Sequence, residues 1–391
     1  MEALAGAGAV ESASSAGARE TRAALALAEA PGFGPAILRV LIDRLGSATA
    51  VLAARPSELA DAPGMTEERA LCLSALRPVP EEHLHRLARR GIRVVSYGAP
   101  GYPERLAHLH HPPPVLYLLG PLDAPVRRAV AVVGTRRATE YGRRTARGLA
   151  ADLAAAGWTV VSGLARGIDA AAHRGALEAR GATVGVLGSG LDHAFPASSR
   201  PLYAALRRRG LLISEFAPGV APARGLFPRR NRIIAALADA VVVVQAGSRS
   251  GALITVAHAL DLGREVLAVP GQVGHPGSEG VHALLRDGAH LATCAADVLT
   301  ALGEEPPTRL DEGGPAAGHA DPDEAALLIA MARGIEAADD LAAAARLDIG
   351  RALAALSRLE IRGAVRALPG GRFASEATPL PSGPGPASAR N

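Results

Sequence analysis

The sequence predicts an α/β protein built on an extended Rossmann-like, doubly wound, mostly parallel sheet, flanked by an N-terminal helical module and a C-terminal winged-helix module. Three observations carry the central prediction. Short apolar runs recur between Ala129 and Ala289, each ending in small or polar residues: AVAVVGTRR from Ala129, TVGVLGSG from Thr183, LLISEF from Leu211, AVVVVQAGSRSG from Ala240 and EVLAVPG from Glu265. Between them lie segments of helical length and pattern, such as TARGLAADLAAAG from Thr145 and GALITVAHALDLG from Gly251, so strands alternate with helices as in βαβ units. In VVSGLARGIDAAAH, Val160 to His173, a strand stops at Ser162-Gly163 and a helix begins near Ile168. Such a hand-over leaves backbone N–H groups and the positive end of a helix dipole at the sheet's carboxyl edge, where an anion is favoured.

At 391 residues, 49% hydrophobic and 20% charged, the chain has material for two or three folded domains, which excludes the disordered and fibrous classes. The net charge of +4 leans towards an anionic partner, but all 42 basic residues are Arg in an Ala-rich background. That pattern suits a GC-rich coding bias, so the placement of single Arg residues inside motifs says more than bulk charge. Cys72 and Cys294 stand far apart with no Cys or His at ligand spacing, which predicts a reducing, cytoplasmic setting and no zinc site. No apolar run reaches the ~18 residues of a membrane span, and Glu2 and Glu11 stand where a secretion signal would be basic. No cofactor, metal or membrane partner is expected.

In chain order, residues 1–20 read as a disordered Ala/Gly/Ser tail and 21–78 as a helical module. Its turns PGFGP (Pro31 to Pro35) and APGMTEER (Ala62 to Arg69) resemble paired helix-hairpin-helix units, as in a SAM or helix-hairpin-helix domain. They either offer N–H groups to a phosphate or serve as turn punctuation. The central domain covers 79–303. IRVVSYG from Ile92 and PVLYLLG from Pro114 are expected to extend the sheet's edge, with HHPPP between them as a loop; His108, His110 and His111 read as a solvent-facing turn. Residues 304–321 form a Pro-, Gly- and acid-rich linker. In 322–375, helical runs from Asp323, Ala337 and Asp348 precede GAVRALPGGRFA, the element order of a winged helix, with DIGRALAALSRLE as recognition helix if the module reads DNA and a protein-binding role as the alternative. Residues 376–391 read as a disordered tail.

Taken together, VVGTRRATEYG, SGLARGIDAAAH, GVLGSGLD, LLISEFAPG, FPRRNRIIAALAD, SRSGALITVAHAL and REVLAVPG resemble the DprA/Smf family of DNA-processing proteins over about Val130 to Ala289. The resemblance implies single-stranded DNA binding, usually as a homodimer, and loading of RecA recombinase during natural transformation. By motif position it implies DNA contacts from Arg136, from the Ser162 to Asp169 loop with Arg166, and from Arg224 to Arg232, with Phe227, Arg230, Asn231 and Arg232. Two positions depart from the family pattern: Gln245 where Glu is frequent, and His282 where Asn is common.

Residue chemistry points the same way. Arg136 and Arg166 supply forked donors for phosphate, while Gly134, Gly163 and Gly167 let the backbone come close; Ser250 and Gly251 open a further helix at the same crevice. Phe227, in a chain only 3% aromatic, stands among Arg224, Arg229, Arg230 and Arg232 and is either a stacking platform for bases or a core plug under Ile233-Ile234. Asp169 and Asn231 either serve the site or cap helices. Asp192 and Glu215 are expected to pair with Arg residues across the crevice, and His173 to be a hydrogen-bonding helix residue. No catalytic residue is assigned. A rival reading, a nucleoside monophosphate phosphoribohydrolase of the lysine-decarboxylase-like superfamily, lacks its Glu beside His258, and a dinucleotide-dependent oxidoreductase lacks GxGxxG at the first strand.

Overall fold

The computed structural model describes residues 15–122, 128–305, 321–361 and 363–375, which fall into two compact units divided between Pro307 and Thr308. Most of the expected linker, 306–320, and the expected tails at 1–14 and 376–391 lie outside the described residues.

The first unit opens with six helices: α1 (Ser15–Ala28), α2 (Pro35–Leu45), α3 (Ala48–Ala53), α4 (Pro56–Ala60), α5 (Glu67–Ser74) and α6 (Glu81–Arg89). Helix α1 starts before the expected boundary at residue 21, because Glu20 has a tertiary task that composition hides. Its carboxylate accepts from the Ala48 and Thr49 amides (2.6 and 3.0 Å), so it caps α3. The two glycine turns are drawn together by Arg69, which donates to the Gly32 and Gly64 carbonyls (both 2.8 Å) and lies 5.1 Å from the Phe33 ring centroid. At the start of α5 the Thr66 hydroxyl takes the Arg69 amide, and Glu67 and Glu68 supply negative charge. These partners favour the structural use of the turns over phosphate capture.

Strands β1 (Ile92–Ser96) and β2 (Val115–Leu119), with the short helix α7 (Glu104–Ala107) between them, lead into βαβ units. Their elements are β3 (Ala129–Gly134), α8 (Glu140–Ala155), β4 (Thr159–Ser162), α9 (Ile168–Glu178), β5 (Thr183–Val186), α10 (Arg200–Arg209), β6 (Leu211–Ser214), α11 (Leu226–Leu237), β7 (Ala240–Gln245), α12 (Ala252–Asp261), β8 (Glu265–Ala268), α13 (Glu279–Arg286), β9 (His290–Leu291) and α14 (Ala295–Ala301). The nine strands form one sheet in the order β1-β2-β6-β5-β4-β3-β7-β8-β9. β2 runs antiparallel to both neighbours and the remaining pairs are parallel, so the two early strands extend the edge as expected.

Apolar side chains of alternating phase are buried on both faces, which explains why the strands read as unbroken β-branched runs. Ala131, Val133, Val241 and Val243 pack with α11 and α12, while Val130, Val132, Val160 and Val242 pack with α8, α9 and α14. The N-terminal helices share a third cluster with β1, β2 and α10, through Leu25, Leu41, Leu73, Tyr117 and Leu206. From β3 the chain winds through β4, β5 and β6, then returns to β7 on the other side of β3. That reversal opens a crevice at the carboxyl ends of β3 and β7.

The second unit has α15 (Pro322–Ala332), α16 (Ala338–Ala345), α17 (Ile349–Ile361) and a hairpin of β10 (Val365–Leu368) with β11 (Arg372–Ser375), around Leu327, Leu341, Ala355, Leu356 and Val365. It is a winged helix. On its third helix, α17, Arg351 pairs with Asp323 (2.8 Å) and Arg358 with Glu324 (2.9 Å) and Asp321 of the α15 N-terminus.

Candidate nucleic-acid interface

A cavity of about 710 Å³ opens at the switch point. Its lining includes Gly134, Arg136, Asp169, Arg224, Phe227, Arg230, Asn231, Ser250 and Gly251. Sequence reasoning had not singled out Arg137, Arg249, Ser248 and Glu279, which line it as well. Arg249 directly precedes Ser250 and Gly251 in the GSRSG turn, so the two residues after it carried the signal.

The rim is aromatic and cationic. Phe227, in the first turn of α11, has the Arg136 guanidinium carbon 4.8 Å from its ring centroid and the Phe195 ring beside it, 5.8 Å away and tilted by 34°. Phe195 is half exposed. Phe227 also lies over Gly188, where a Cβ would approach its ring to 3.0 Å. It is therefore a half-exposed platform at the crevice mouth and not a plug in the Ile233-Ile234 core, and its outer face meets a cation in the way a ring accepts a guanidinium or a base.

Below the rim the loop from Ser162 to Asp169 is held tightly. Ser162 is buried, its hydroxyl donating to the Val132 carbonyl (2.7 Å), and the Gly163 and Ala165 backbone groups favour the charged form of Asp169. Gly167 has φ +83°, and a Cβ there would collide with the Thr135 carbonyl, so this loop and the GTRR loop touch backbone to backbone. Arg230 is only 3% exposed and donates to the Val186 carbonyl from Nη1, with its guanidinium packed on Gly163. Burial pushes the Asp169 carboxyl up to about 6, against the pull of Arg230, and pushes Arg230 down to about 10. Arg230 thus stands beneath the loop as a strut.

Other expected residues lie elsewhere. Arg232 points from the far side of α11 to Glu215, whose burial raises its own carboxyl, and Arg166 is exposed beside the cavity without lining it. Asp192 pairs with Arg90 (3.2 Å) and Glu215 with Arg232 and Arg229, so neither spans the crevice as expected; Asp192, in the turn after β5, meets the end of α6, and Glu215, just after β6, meets α11. Asn231 donates to the Gly251 carbonyl (3.2 Å), tying α11 to the start of α12. His173 is buried with its Nδ1 2.7 Å from Thr183 Oγ1. Because that hydroxyl donates to the Val160 carbonyl, the ring must donate through Nδ1, and burial lowers its pKa to about 3.

The two departures have structural partners. Gln245 Oε1 accepts the Thr139 amide (2.9 Å) at the start of α8, and His282 Nε2 meets the Gly271 carbonyl (2.9 Å). Exposed Arg136, Arg137, Arg224 and Arg249 outnumber the lining carboxylates Asp169 and Glu279, and α9 and α11 begin at glycine N-caps without a capping side chain. The arrangement favours an anionic ligand with a flat apolar group.

Residues 93–303 match the family described as DNA recombination-mediator protein A, and 314–371 match the DprA winged helix domain. A putative DNA processing protein DprA of Mycobacterium tuberculosis is 47% identical over 57% of this chain; the match spans 60% of that relative's length. Protein Smf of Synechocystis is 36% identical over 74% of each chain. The X-ray structure of DNA processing protein A from Streptococcus pneumoniae covers 71% of this chain and 97% of its own, with 30% identity and a TM-score of 0.63.

Proposed function

The chain belongs to the DNA recombination-mediator protein A (DprA/Smf) family, and from that membership we propose that it binds single-stranded DNA in the switch-point crevice, protects it and loads RecA recombinase onto it in natural transformation. The observation that carries the site is the Arg136 guanidinium stacked on Phe227 at the mouth of an arginine-lined cavity. Guanidinium groups meet phosphate oxygens, and the paired rings of Phe227 and Phe195 meet bases regardless of sequence, at ~1–3 kcal/mol per stacked base.

In this reading Arg136, Arg137, Arg224 and Arg249 hold the backbone, Asn231, Ser250 and Gly251 shape the start of α12, and Arg230 with Asp169 keeps the Ser162 to Asp169 loop in place. The protein performs no chemistry on the strand. It works as a homodimer, since two crevices side by side hold a longer strand by avidity and leave the remainder open for a recombinase filament. No described helix is long and apolar enough to cross a membrane; a cytoplasmic site of action is part of the proposal.

The test is a salt titration of binding to single-stranded and duplex oligonucleotides. The site requires a steep salt slope together with strand preference. Equal affinity for both forms would sink the stacking platform. Release of free base or sugar phosphate, abolished by a crevice substitution, would favour the phosphoribohydrolase alternative.

A further inference from the structure

On the face of the sheet opposite α11 and α12, arginines gather around the last turn of α9. Arg209, at the end of α10, donates to the Leu177 carbonyl (3.2 Å), so the last turn of α10, which also carries exposed Arg207 and Arg208, packs against the end of α9. Arg174 lies one turn earlier on α9, and the Arg180 amide also reaches the Leu177 carbonyl (3.2 Å). All of these arginines are exposed. The nearby carboxylate of Glu178 is already taken by Arg147, through Nε and Nη2. Among the described residues, Arg174, Arg180, Arg207 and Arg208 have no acidic partner within ion-pair distance.

An arginine-rich composition alone would scatter charge evenly, and on the other face it does. There α12 and α13 expose charges of both signs, Asp261 and Glu279 as well as Arg286, and Asp287 follows directly after α13. Neither α9 nor α10 exposes a large apolar side chain, which a protein interface or a membrane-seated helix would need. The cluster also connects with the crevice. Exposed Arg166 stands just before α9, along which the six residues from Ile168 to Arg174 rise about 9 Å.

We propose that this cluster binds the phosphate backbone of the single strand after it leaves the crevice, so that the strand turns over the rim at Arg166 and runs along α9 and α10. The proposal rests on the crevice reading above. Unstacked bases face solvent along this path, because it offers charge without rings.

The experiment compares the full chain with an Arg174→Gln/Arg207→Gln/Arg208→Gln variant on two oligonucleotides, one of about 6 nucleotides, the scale of a single site, and one of about 30. The variant should bind the short strand like the parent and the long strand roughly tenfold more weakly at low salt, with a salt slope lower by about 2 for three lost phosphate contacts. Parent-like binding of the long strand, or equal loss on both lengths, overturns the path. So does a cluster-dependent affinity for anionic phospholipid vesicles with long-strand binding unchanged. An Arg136→Ala variant is the control: parent-like binding of both lengths by that variant would fail the crevice reading itself, and the path with it.

Discussion

The Arg230 guanidinium fills the space that a side chain at position 163 would need: a Cβ on Gly163 would overlap Nη1 and lie 2.5 Å from Cζ and Nη2. The strand-to-helix loop therefore requires glycine for a packing reason, and α11 is keyed to that loop through one buried cation. Gly163→Ala should cost ~1–3 kcal/mol by overpacking, and Arg230→Ala on the order of 3 kcal/mol by taking from buried Asp169 the larger of its compensating charges. Thermal unfolding would show both as lowered midpoints. If Arg230→Ala instead melted like the parent and only DNA affinity dropped, Arg230 would be a direct contact.

Arg136 and Phe227 should behave in the opposite way. Arg136 is exposed and Phe227 only half buried, so Arg136→Ala and Phe227→Ala should leave the melting midpoint within a few degrees of the parent. Single-strand affinity should fall by about 1–3 kcal/mol for Phe227→Ala, and Phe227→Trp should retain it. Fluorescence anisotropy on a short oligonucleotide reads this directly. Retained affinity in Phe227→Ala would move the base platform elsewhere.

Why sequence reasoning grouped Arg230 and Arg232 with these residues is a matter of helical phase. The run FPRRNR carries three arginines of equal charge, and only the start of α11 at Leu226 decides where each points. Phe227, Asn231 and Ile234 face the cavity, Arg230 goes beneath the Gly163 loop, and Arg232 reaches Glu215 behind. The strands were legible because both faces of β3 and β7 are buried, giving unbroken apolar runs that end in Gly134 and Gln245. The start of α1 was not, since Glu20's partners lie on α3, 28 and 29 residues away. Phe195 escaped notice although aromatic residues make up only 3% of the chain, a scarcity that had flagged Phe227.

The winged-helix unit should contribute little to duplex binding through α17. Arg351 and Arg358, the basic residues that would face a groove, are engaged with Asp323, Asp321 and Glu324, while Ile349 and Leu353 of the same helix are exposed. Arg351→Ala in the full chain should leave duplex affinity unchanged by gel shift. A drop accompanied by a salt slope lower by about 1 would show that Arg351 leaves its partner to contact phosphate.

The pH dependence of binding should trace to Asp169. Its carboxyl titrates at about 6 because burial opposes the charge, with Arg230, Arg136 and the backbone groups of Gly163 and Ala165 pulling the other way. His173 stays neutral in this range, since its pKa is lowered to about 3. A carboxyl raised above its unfolded value of 3.8 contributes stability that is complete below that value and is lost as pH rises through about 6. Binding has the same sign. A polyanion beside Arg136 favours the neutral form of Asp169, so affinity should rise roughly threefold to tenfold as pH falls from about 7 to about 5 at fixed ionic strength, the effect of one charge removed near the phosphate. Asp169→Asn keeps one acceptor for the loop backbone and cannot ionise. Its affinity should therefore be nearly flat over that range and close to the parent's low-pH value. An unchanged pH slope in Asp169→Asn would place the titrating group elsewhere, while a flat parent profile would mean that Arg230 screens Asp169 from the bound strand.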